Sequence, residues 1–76
     1  MSESIITMRS ETYAAKASKL LTRYGLRCRI VSVDPALTSR GCSVGVAVNY
    51  YDVKEVKRLL NGANITFGEV LGQREF

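Results

Sequence analysis

The sequence predicts an α+β domain of the ferredoxin-like kind. That is a βαββαβ sandwich in which two helices cover one face of a four-stranded antiparallel sheet. Two observations carry this reading. Segments with a period of two alternate with segments of helical period in the order β, α, β, β, α, β. Both helical segments also begin with a capping residue, Ser10 or Asp52, and run to a glycine, Gly25 or Gly62.

The first strand is expected over 4–8, SIITM, a short β-rich run suited to burial. Ser10 caps the helix that follows, with Glu11 in the first turn where the dipole favours an acid. Ala14, Ala17, Leu21 and Tyr24 recur at helical spacing and predict one apolar stripe, while Lys16, Lys19 and Arg23 lie off it. Gly25 is the expected stop. In LRCRIVSVDP, Leu26, Cys28 and Ile30 alternate with Arg27 and Arg29, and Asp34-Pro35 ends the strand.

After a Ser/Arg/Gly loop, Val44, Val46 and Val48 alternate with Gly45, Ala47 and Asn49, the cleanest period of two in the chain. Asp52 with Glu55 resembles a capping box. Val53, Val56, Leu59 and Leu60 form the second helical stripe, and Gly62 ends it. A last strand covers roughly 65–71. In this topology the first and third strands are central and antiparallel. A hairpin centred near Thr38 sets Cys28 opposite Val48. The chain is expected to form one domain over 1–76, with its ordered core at about 4–72.

Composition narrows the function. Hydrophobic content of 46% and charge of 24% are those of an ordinary globular protein. No apolar run reaches the roughly 20 residues of a membrane span, and the N-terminus lacks the layout of a signal peptide. With Cys28 and Cys42 as its two cysteines, the expected setting is the reducing cytoplasm with both thiols free. Histidine is absent, which removes Cys–His nucleophile pairs and leaves too few ligands for a Cys/His metal centre. No cofactor is called for. A net charge of +4 is mild.

Attention falls on LTSRGCSVGVAVNY, where Cys42 lies in a loop between Gly41 and Ser43, beside Ser39 and Arg40. Opening the third strand puts Cys42 at the end of the sheet where the first strand finishes and the first helix starts. Arg9, Ser10 and Glu11 are then expected near it. Arg40, Arg9 and a helix N-terminus are the surroundings that favour a thiolate, whereas Glu11 opposes it. The bland alternative is that Cys42, sharing parity with Val44, tucks under the helices as a small core residue. Cys28 is read as such a core residue, too far along the strands from Cys42 for a disulfide.

The chain resembles a known family, the “Putative Se/S carrier protein-like” proteins, over nearly everything from Ile5 to about Gly72. The resemblance lies in IITMRSETYAAKASKLLTRYGL, VSVDPALTSRGCSVGVAV and DVKEVKRLL. Pro35, Ser39 and Cys42 occupy the family's proline, loop serine and strand-opening cysteine. The chain has Gly41-Cys42-Ser43 where many members have Cys-Gly.

The resemblance implies a carrier, not an enzyme. Cys42 would hold a terminal sulfur or selenium atom, received from a cysteine desulfurase-type or selenium donor protein and passed to an acceptor protein. Two other classes stay open: a ferredoxin-like interaction or regulatory module, with a homodimer through the open sheet face as one form, and a weak nucleic-acid binder using the basic residues with Tyr50 and Tyr51. The RNA-recognition signature RG[FY][GA]F is missing, so nucleic acid is the weakest of the three.

Overall fold

A computed structural model describes residues 2–38 and 41–75. The elements are β1 (Ser2–Met8), α1 (Glu11–Arg23), β2 (Cys28–Ser32), β3 (Val44–Asn49), α2 (Val53–Gly62) and β4 (Phe67–Glu75), with single 3₁₀ turns at Pro35–Leu37 and Tyr50–Asp52. The sheet order is β2-β3-β1-β4. All three neighbouring pairs are antiparallel. This is the ferredoxin-like arrangement, with β1 and β3 central.

Alternation along the strands divides the sheet into two faces. Ile6 and Met8 of β1 and Val44, Val46 and Val48 of β3 are buried in one cluster with Ala14, Ala17 and Leu21 of α1 and Val56 and Leu60 of α2. Both helices therefore cover the same face. Val53 and Leu59 flank the cluster, half-buried. The β2–β3 register runs Cys28↔Val48 to Ser32↔Val44, the pairing that a hairpin centred near Thr38 predicts.

The ends of the helices depart from expectation in instructive ways. Ser10 does cap α1, its hydroxyl accepting from the Tyr13 N–H at 3.3 Å. The helix closes in a Schellman motif, with the Leu26 N–H on the Leu21 carbonyl at 2.9 Å, the Gly25 N–H on the Thr22 carbonyl at 3.0 Å, and Gly25 at φ +78°. That turn draws Leu26 onto the core and leaves Tyr24 outside it, 59% exposed, so the expected stripe ends at Leu21.

α2 closes in the same way, but not through Gly62, which is its last helical residue. The left-handed position falls on Asn64 (φ +59°), and Ile65 donates to the Leu60 carbonyl at 2.9 Å. Asn is the non-glycine residue that tolerates this geometry. At its start, Asp52 makes no side-chain cap and no capping box forms. The preceding 3₁₀ turn feeds the helix directly, Asn49 Oδ1 accepting from the Tyr51 N–H at 2.9 Å. Glu55 is engaged by Arg58 instead.

The face away from the helices is not bare. Gly45 and Ala47 are both buried there. A Cβ on Gly45 would lie 2.7 Å from Ile5 Cγ2 and 3.2 Å from Val33 Cγ2. The absence of bulk at Gly45 thus lets the residue after β2 fold back over this end of the sheet. Val33 and Thr38 are buried in that segment. Arg29 lies further along the same face in an exposed pair with Glu3 at 3.0 Å.

Candidate functional site

β4 is longer than its sequence pattern predicts, and its pairing with β1 is broken twice, between Glu3 and Ile5 and between Ile6 and Met8. The second break matters for the cysteine. Ile6 pairs with Val70 and Met8 with Phe67, so Thr7 faces both Gly68 and Glu69, a β-bulge. A bulge takes backbone groups out of the ladder. Here the Thr7 hydroxyl replaces the missing partner: it accepts from the Glu69 N–H at 2.8 Å and donates to the Glu69 carbonyl at 3.1 Å. Thr7 is fully buried, alternating with Ile6 and Met8 and so turned away from the helices.

Cys42 meets this bulge. Its sulfur lies 3.5 Å from the point that a Cβ on Gly68 would occupy, a point 2.5 Å from Thr7 Oγ1. Gly68 is therefore dictated by the Thr7 hydroxyl, and the space it leaves borders the thiol. The strand proper starts only at Val44, two residues after Cys42. Gly41 at φ +70° turns the chain just before the cysteine. Because Cys42 stands outside the ladder, its parity with Val44 does not govern where it points. The sulfur sits on the Thr7 side, away from the helical layer, and the residue is half-buried.

The loop fixes Cys42 through its backbone. Its N–H donates to Thr38 Oγ1 at 2.8 Å, and that hydroxyl donates to the Pro35 carbonyl at 3.2 Å. Thr38 is itself buried. The Val33 N–H on the Ser43 carbonyl at 2.9 Å adds a rung beyond the β2–β3 ladder. Cys42 thus stands on a framed turn, and its sulfur makes no hydrogen bond to another described residue.

The other expected site residues divide. Ser43 lines an open groove of about 610 Å³ with Glu11, Thr12 and Ile30, beside the start of α1. The Ser10 hydroxyl is occupied as the helix cap. Arg9 is exposed. Ser39 and Arg40 lie outside the described residues. Thr7, Thr38 and Gly68 border or hold the cysteine and were missed from the sequence. Only Gly68 carried a signal, as a glycine inside a strand pattern, which marks a bulge or a close approach.

Cys28 provides the contrast. It opens β2 opposite Val48 and packs half-buried against the core. Its thiol donates to the Ser18 carbonyl at 3.6 Å and lies 3.6 Å from Ser18 Oγ and 3.9 Å from Thr22 Oγ1. Both cysteines are free. Val48 and Cys42 are six positions apart in the chain, about 20 Å in an extended strand, well beyond the reach of a disulfide. Among the described residues no cluster of three or more Cys, Asp or Glu is placed to hold a metal ion. Among them, too, no helix is long and apolar enough to cross a membrane.

A family model described as “Putative Se/S carrier protein-like” matches residues 3–71. No curated protein and no solved structure matches the chain.

Proposed function

Because the chain belongs to the Se/S carrier protein-like family, we propose that Cys42 is its carrying thiol, holding a sulfane sulfur or a selenium atom between a donor and an acceptor protein. The observation that carries this reading is the setting of Cys42. A half-buried thiol stands on a framed turn, free of hydrogen bonds to described residues and bordered by the side-chain-less Gly68. Cys28, tied to Ser18 and packed on the core, is the structural cysteine.

The chemistry needs nothing the chain lacks. The Cys42 thiolate attacks the outer sulfur of a donor persulfide, R–S–SH. A new S–S bond forms at Cys42, the donor's S–S bond breaks, and the donor leaves as a thiolate. One sulfane sulfur changes hands without net oxidation, so neither metal nor organic cofactor takes part. Onward transfer repeats the exchange, with the acceptor as the attacking nucleophile. Selenium follows the same balance as Cys–S–SeH. The free Cys42 thiol that begins the cycle is the form that a reducing cytoplasm maintains.

Alkylation of the native protein tests the assignment. Iodoacetamide at neutral pH should modify Cys42 well before Cys28, as read by peptide mass, with the circular dichroism unchanged. Modification of Cys42 only after denaturation would show a sealed core thiol and end the proposal.

A further inference from the structure

We propose that the free edge of β2 is a docking strand for an extended, acidic segment of a partner protein. Among the described residues β2 is an edge strand, paired with β3 alone. The Val33 N–H to the Ser43 carbonyl fixes the phase of that ladder, so Arg29 and Val31 turn their backbone groups inward to β3. By alternation, the N–H and C=O groups of Cys28, Ile30 and Ser32 face outward. Ile30 is a large apolar residue left 49% exposed on this edge. No proline or bulge blunts the strand.

Grooves lie at both ends of the edge. At the Ser32 end, the groove of about 610 Å³ is formed by Ile30 and Ser43 with Glu11, Thr12 and Ala15 of α1, and so carries an acid of its own. At the Cys28 end, a second of about 620 Å³ is formed by Thr22, Leu26, Cys28 and Arg27. Strand addition supplies affinity through main-chain bonds and selectivity through pockets for alternate side chains, and this edge offers both.

The charge selects the occupant. Ala15 and Thr22 of α1 line the two grooves, and Lys19, exposed, falls between them at spacings of four and three on the same side of the helix. Arg27 stands at the end of the strand. Neither Lys19 nor Arg27 makes an ion pair among the described residues, where the pairs are Arg29–Glu3 and Arg58–Glu55. A second copy pairing antiparallel about Ile30 would set Arg27 against the copy's Val33 and so offer it no acid. A strand that sets an apolar side chain by Ile30 and its acidic side chains at the Cys28 end, beside Arg27 and away from Glu11, satisfies the charges along this edge. This surface does not depend on the sulfur-carrying role of Cys42.

Amide exchange by NMR tests it, with a synthetic alternating Glu/Val heptapeptide as probe. The peptide should slow exchange at Cys28, Ile30 and Ser32 by roughly tenfold or more while leaving Arg29 and Val31 unchanged. The exposed double substitution Lys19→Glu with Arg27→Glu should weaken that binding by about tenfold. Four results would overturn the proposal: no protection at millimolar peptide, equal protection by a Lys/Val heptapeptide, tighter binding of oligo(dT) at the same residues, or protection that rises with protein concentration alone.

Discussion

Gly68→Ala is the substitution that probes the bulge beneath Cys42. The new methyl would stand 2.5 Å from Thr7 Oγ1, closer than such atoms approach, and 3.5 Å from both the Thr7 carbonyl oxygen and the Cys42 sulfur. The protein has two ways to make room. Thr7 rotates and gives up its two bonds to the Glu69 backbone, which costs about 1–3 kcal/mol for buried polar groups. Otherwise the strands shift apart, an overpacking cost of about 1–3 kcal/mol. The cheaper route is taken, and the intrinsic gain of alanine over glycine in a strand, roughly 0.5–1 kcal/mol, offsets part of it. The expected net loss is about 1–2 kcal/mol, or roughly 5–15 °C in Tm for a domain of this size. Urea unfolding followed by circular dichroism measures it. The cause is isolated by a double-mutant cycle: after Thr7→Ala the clash is gone, and Gly68→Ala should become neutral or stabilising. Additivity of the two changes within about 0.5 kcal/mol would refute the reasoning.

Leu60→Ala empties a fully buried position on the core face of α2 and should cost about 2–5 kcal/mol in urea unfolding, enough to unfold a marginal domain. Asn64→Gly relieves a left-handed residue and should stabilise by up to about 1 kcal/mol, whereas Gly25→Ala, at φ +78°, should destabilise by a similar amount; thermal melts separate the two. The hydrogen bond from Arg58 lowers the Glu55 carboxyl below its ordinary value. Its small, salt-screened contribution is therefore present above the unfolded pKa and lost as pH falls through the folded one. A carbon-detected NMR titration should show Glu55 moving up toward the ordinary carboxylate value in Arg58→Ala.

What could be read from the sequence were the features set by neighbours in the chain. Period-two and helical stripes placed every element in order, and the turn near Thr38 fixed the Cys28↔Val48 register because a hairpin's pairing follows from its centre. The helix stop at Asn64 was hidden by a nearby glycine, which is not the left-handed residue of the closing turn. The Asp52–Glu55 pattern fitted a capping box, yet the 3₁₀ turn before it satisfies the helix start by another path. The surroundings of Cys42 were the least legible. Thr7 and Glu69 are 62 positions apart, and only the bulge between β1 and β4 brings them together. Strand parity would place the sulfur under the helices, but Gly41 turns the chain before the ladder begins, and parity says nothing of residues outside a ladder.

The central claim, that Cys42 carries the transferable atom, is tested most directly by intact-mass measurement after incubation with a cysteine desulfurase and cysteine. The wild type and Cys28→Ser should each gain the mass of one sulfur atom, removable by reductant, and Cys42→Ser should gain none. A gain retained in Cys42→Ser, or its absence from the wild type under conditions where the desulfurase is itself loaded, would contradict the account.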